Sequence, residues 1–170
     1  CSGMIADKPL AALAEVASRL VRAGATVVLA GNSNLANSET FSSLALGVQE
    51  TLRSTISYGQ TPSEAGLHVM ELDEEDELES VTGLGASGVE IMLNYVGDAP
   101  APAHPIVPLL QVSGETGVIE RFGADIDCKL SEDASVESMV ASILDLLQTT
   151  ANGAYRPTER NSGTVVGFQL

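Results

Sequence analysis

The residues of this chain able to do chemistry are few, and they cluster at the ends of apolar runs. Asp125 and Asp127 stand two apart in the step ADIDCK. In extended backbone that spacing puts both carboxylates on one face, where they could hold a hard cation or orient a base; the pair could equally cap the following turn. His104 lies at a loop–strand junction, a place where a neutral imidazole can act as a base or a ligand. These three are the catalytic candidates. The segment GNSNLANS, residues 31–38, offers the amides and hydroxyl of Asn32, Ser33 and Asn34 to a polyhydroxy or carboxylate ligand. The competing reading is a polar strand-to-helix loop with an N-cap at Asn37 or Ser38. Gly114 sits in a turn at residues 113–117 and joins these three as a substrate-binding candidate.

Other polar groups read as structural. His68 falls inside an apolar run and is expected to be a hydrogen-bonded core histidine. The carboxylate-rich run at residues 71–79 reads as an exposed helix start, favoured by the helix dipole. Cys128 reads as a small buried hydrophobe. There is no GxGxxG, GxxxxGK[ST], CxxC or HExxH, and no Ser-His-Asp order, so no motif supports dinucleotide binding, a P-loop, or metalloprotease or serine-hydrolase chemistry. The residues alone identify no metal ligands.

Composition narrows the classes further. Of 170 residues, 44% are hydrophobic and 18% charged, with net charge −15 from 23 acidic and 8 basic residues. So few cations cannot neutralise a phosphate backbone, which excludes a nucleic-acid partner. No apolar run approaches the roughly 20 residues of a membrane span, so no membrane association is expected. Two cysteines in unlike contexts, Cys1 and Cys128, do not make a disulfide framework, and a reducing cytoplasm is the expected location.

The elements that would position the candidates alternate along the chain. Asp7 as N-cap with Pro9 in the first turn opens a helix, which carries Leu10, Leu13, Val16, Ala17, Leu20 and Val21 at helical spacing and ends at Gly24. Residues 25–30 form a strand apolar on both faces, as in the middle of a parallel sheet. A helix is expected at 39–55, a strand at 67–71, a helix from 73 to Ser87-Gly88, and a strand at 89–94. Another strand covers 105–112, where Pro108 prefers an edge or bulge. A short helix at 114–122 leads to a strand or extended turn at 125–128. Ser135 opens the longest helix, which runs to about Thr150 with Gly153 as its C-cap, and residues 164–170 are expected to add an edge strand. The alternation predicts an α/β three-layer sandwich with a mostly parallel, Rossmann-like sheet, residues 1–170 forming one domain.

The stretch HPIVPLLQVSGETGVIERFGADIDCK resembles the C-terminal region of the altronate dehydratase / D-galactarate dehydratase family. Its pattern there runs P-I-x-P-V-I-K-V-x-G-N-x-x-T-x-x-R-M-x-D-D-I-D-I-N, matched by Pro105, Pro108, Val112, Gly114, Asp125 and Asp127. Ser2-Gly3 with Ala6-Asp7 and Pro9 is similar to the family's S-G-x-T-A-N-P step. The segments AGATVVL at 23–29, GLHVM at 66–70 and SVTGL at 80–84 also have collinear counterparts. The resemblance implies a lyase that eliminates water from a small hydroxylated carboxylic acid with the help of Fe(II) or another divalent metal. It also implies that this chain is the C-terminal part of a longer one, working with an upstream domain or partner subunit and as a homo-oligomer.

The chain departs from that pattern at polar steps. Residues 31–34 replace a glutamate-containing S-E-x-x-E step, and residues 95–104 replace the T-T-G-R-G-T-P-x-G loop with its Thr and Arg donors. Ala124 and Lys129 replace the first Asp and last Asn of D-D-I-D-I-N. The alternative function is therefore a catalytically degenerate member that serves as a binding or assembly module.

Overall fold

The computed structural model describes residues 5–39, 41, 52–72 and 76–154. Helix α1 (Asp7–Arg22) leads into β1 (Thr26–Ala30); β2 (Leu52–Ile56) and β3 (Gly66–Met70) follow. Then come α2 (Glu77–Ala86), β4 (Met92–Tyr95), β5 (Leu109–Ser113), α3 (Thr116–Phe122), β6 (Cys128–Lys129) and α4 (Val136–Ala151). The class is α/β and every strand pair is parallel. Among the described residues the strands form two three-stranded sheets, ordered β1-β3-β2 and β4-β5-β6, where a single sheet was expected. Each central strand, β3 and β5, is the most buried of its sheet, as continuous apolar runs dictate.

Helix α1 explains why both sheets belong to one body. Leu10, Ala14 and Ala17, at i, i+4 and i+7, pack with Leu67 of β3 and Phe41. On another side Ala12, Leu13 and Val16 pack with Leu110 and Val112 of β5, Tyr95 of β4, and Met139, Val140 and Ile143 of α4. A helix apolar over so wide an arc is buried on more than one side. Its exposed edge is tied to α4 by Arg19, which donates to Glu15 (2.8 Å) and to Glu137 (2.7 Å). Helix α2 is a second bridge: Val81 joins Met92 and Leu109 of the β4-β5-β6 sheet, while Gly83 sits against Tyr58 and Met70 beside the other.

Local signals set most boundaries. Ser135 Oγ accepts from Ser138 N and Asp76 Oδ1 from Leu78 N, capping α4 and α2. Gly24 (φ +89) and Gly153 (φ +69) lie just beyond the C-terminal ends of α1 and α4 in the left-handed region that ends helices. Some details differ from expectation. Asp7 is the first helical residue, and Ala6 takes the N-cap position without a side-chain bond. Leu52–Ile56 is strand β2, paired with β3, where helix was expected; Glu39 and Phe41 are helical, and residues 42–51 lie outside the described residues. Strand β5 begins after Pro108, whose carbonyl still accepts from Met92 N (2.8 Å). The expected edge strand at 164–170, Cys1 and the Ser2-Gly3 step lie outside the described residues. No helix among the described residues is long and apolar enough to cross a membrane.

Ala14 has no exposed surface where α1 meets β3. Ala14→Leu should therefore overpack that contact and lower stability by about 1–3 kcal/mol, read from urea denaturation. A loss below about 0.5 kcal/mol would mean that α1 does not press on that sheet as described.

Candidate functional site

Parallel strands leave their ligand-facing ends at the carboxyl termini. In the β4-β5-β6 sheet, Tyr95 closes β4 beside Val112 of β5, and Ser113 closes β5. Ser113 Oγ donates to Val96 O (2.8 Å) and accepts from Glu115 N (3.1 Å), which fixes the turn that leads to α3. Tyr95 is 2% exposed, yet its hydroxyl reaches that turn. It donates to Glu115 Oε1 (2.9 Å) and accepts from Gly114 N (3.4 Å). Burial first, and then the bond to Glu115, push the phenol far above its usual range, so it remains a neutral donor. A Cβ at position 114 would lie 3.2 Å from Pro9 Cγ and 3.3 Å from Tyr95 Oη, which accounts for the glycine.

Around this turn opens a cleft of about 230 Å³. Lys8 and Pro9 of α1 form one wall, Gly114 and Glu115 another, and Leu130 and Met139 the apolar remainder. Lys8 Nζ donates to the backbone carbonyl of Glu132, which also lines the cleft (2.8 Å).

Of the candidates chosen from sequence, Gly114 lines this cleft and the others do not. Asn32 sits at the end of β1 and exchanges hydrogen bonds with Ser80 of α2 (3.0 and 3.1 Å). Ser33 is buried, with its Oγ accepting from Ala36 N (3.1 Å), and Asn34 is exposed. Asn37 donates to the carbonyls of Gly31 and Ser33, and Ser38 Oγ accepts from Phe41 N, so this loop closes largely on itself.

His104 lies against α2. Its Nδ1 accepts from the backbone N–H groups of Val107 (2.9 Å) and Ile106 (3.2 Å), and its Nε2 packs over Gly85, where a Cβ would collide with it. An imidazole that accepts two N–H bonds is neutral, and burial lowers its pKa to match. Asp125 closes the turn after α3, its N–H donating to Phe122 O (2.7 Å), so residues 125–128 are not one extended strand. Asp127 clasps β5: its Oδ2 accepts from Gln111 N (2.6 Å) and its own N–H donates to Gln111 O (2.8 Å). The Gln111 side chain accepts from Asn94 (2.9 Å) and donates to Ala101 O (2.8 Å), pinning the loop after β4. His68 is a core histidine as read, with Nε2 donating to Glu64 O (2.9 Å) and Nδ1 left to accept from Ser54 Oγ (3.1 Å). Burial, and then Asp127, raise the Cys128 thiol, which suits a packing residue.

A divalent metal does not fit these groups. Among the described residues no three His, Cys, Asp or Glu side chains come together, and the acceptor nitrogens of His104 and His68 are engaged as above. The groups that sequence reasoning passed over are Lys8, Tyr95 and Glu115. Tyr95 ends an apolar run and Glu115 follows a strand-end glycine; only the pairing of β4 with β5 brings them together.

The family model described as D-galactarate/Altronate dehydratase, C-terminal, matches residues 43–166. No curated protein matches the chain.

The histidine geometry sets a pH dependence. Since its folded pKa lies below the ordinary value of about 6.5, the unfolded chain takes the proton first. The stability that His104 contributes is thus complete above that value and is lost progressively as pH falls below it and through the lower folded pKa. His104→Asn retains an acceptor but cannot titrate, so its melting temperature should fall less than the wild type's from about pH 7.5 to about pH 5.5. Equal slopes would show that the Nδ1 contacts do not hold this turn.

Proposed function

The chain belongs to the D-galactarate/altronate dehydratase C-terminal family, and on that premise we propose that it is a domain of a sugar-acid lyase that eliminates water from a small hydroxylated carboxylic acid. The observation that carries this reading is the family match over residues 43–166, which spans the strand-end turn at Gly114 and Glu115. In such a reaction a base takes the proton α to the carboxylate while the β-hydroxyl leaves with a proton from a general acid. One water is released, and the resulting enol tautomerises to a keto acid. The domain's part in this reading is to bind and orient one end of the acid in a partly water-excluded cleft.

The described side chains offer no fitting set for Fe(II) or another divalent ion. Metal assistance in this reading comes from groups outside the described residues, whether in this chain, an upstream domain or a partner subunit. A cytoplasmic, homo-oligomeric enzyme completes the proposal. Of the His104, Asp125 and Asp127 candidates, His104 Nδ1 and Asp127 Oδ2 would enter the chemistry only after giving up or sharing backbone contacts.

The test is dehydration of galactarate and altronate by the full-length protein, loaded with Fe(II) and analysed for bound metal. Keto-acid formation that disappears with a chelator is the expected result. A loaded, folded protein that turns over neither acid would overturn the reading. The second reading, a family member retained as a binding or assembly module, is favoured by the commitment of His104 Nδ1 and Asp127 Oδ2 to backbone N–H groups. It would then bind such acids without turnover.

A further inference from the structure

We infer that the cleft at the carboxyl end of β5 receives one end of a hydroxylated carboxylic acid, with Lys8 taking the carboxylate and Glu115, fixed by Tyr95, taking a neighbouring hydroxyl. The inference rests on the lyase reading and assigns residues to it.

Glu115 is the one carboxylate of the cleft with a buried anchor. Its Oε1 accepts the Tyr95 hydroxyl at 2.9 Å, and Tyr95 is in turn wedged under Gly114. A carboxylate has about four lone-pair sites, so one phenol leaves capacity to accept a ligand O–H. Lys8 gives one of its three N–H groups to Glu132 O and, among the described residues, makes no ion pair. Its charge is thus available to a carboxylate. Pro9, Leu130 and Met139 supply apolar wall for a short carbon chain. At about 230 Å³ the cleft is below the roughly 300–1,000 Å³ of drug-sized sites, which suits one end of a small molecule. Asp7 and Glu132 also line it, and their charges oppose a bare anion. A ligand must therefore satisfy Glu115 with a donor as well as Lys8 with a carboxylate, and a hydroxy acid does both.

Calorimetric titration of this chain tests the assignment with four probes: galactarate, adipate (carboxylates without hydroxyls), galactitol (hydroxyls without carboxylates) and hexamethylenediamine (a cation of similar length). Galactarate should bind at least about tenfold more tightly than the other three. Lys8→Gln and Glu115→Gln should each weaken it about tenfold, the size of one hydrogen bond to a charged group. Tyr95→Phe should weaken it severalfold through Glu115. Lys8→Gln should leave galactitol unaffected and Glu115→Gln should leave adipate unaffected, while melting curves confirm that each variant folds. Galactarate failing to bind, the diamine binding in its place, or galactarate affinity indifferent to these substitutions would overturn the site. Turnover by the full-length enzyme that survives all three substitutions would sink this site and leave the lyase reading standing. Binding through Lys8 and Glu115 with no turnover would do the reverse.

Discussion

The burial of α1 between two small parallel sheets is the constraint on which the rest of the structure depends. A three-stranded sheet has two faces to cover and little area with which to hold a partner. Helix α1 answers for both sheets by turning Leu10, Ala14 and Ala17 one way and Ala12, Leu13 and Val16 another. The alanines matter because they let backbone approach backbone; Ala12 and Ala14 have no exposed surface. This position also places Lys8 and Pro9 over the end of β5. The cleft is therefore a by-product of core packing, formed where the first turn of α1 overhangs the strand-end turn.

Within the β4-β5-β6 sheet, polar side chains do work usually left to backbone. Asp127 lengthens the pairing of β5 with β6 by offering its carboxylate to Gln111 N, while the Gln111 amide bridges Asn94 and Ala101 O. Buried polar groups in such a lattice specify register as long as every member is satisfied. His104 does the same for the next turn by accepting two N–H groups. Groups that suggest catalysis in a linear reading are here employed in holding loops against strands.

Much of the fold was legible because its determinants are local. The apolar spacing of α1, the cap at Ser135, the glycines after helices and the continuous apolar runs of β3 and β5 each state their structure within a few residues. Strand β2 was not legible. Leu52–Ile56 earns its conformation from non-local pairing with β3, which outweighs weak helical propensity. The two-sheet division was hidden for the same reason, since strand order is a long-range property. At the site, Gly114 could be read from its place after a strand, whereas Tyr95 and Glu115 are 20 residues apart and meet only through the β4–β5 register. Spacing suggested an extended run over Asp125 and Asp127, whereas the Asp125 N–H closes a turn after α3 and strand β6 begins at Cys128.

The contact of α1 with α4 has a consequence for biosynthesis. Arg19 and Glu137 are separated by 118 positions, and the cluster around Leu13 is completed by Ile143 and Leu146. A ribosome delivers the first of these partners long before the last. Until α4 emerges, that side of α1 has only β4 and β5 to cover it, and the cluster around Leu13 stays incomplete. At net charge −15, self-repulsion between chains opposes association through a surface that is only partly covered.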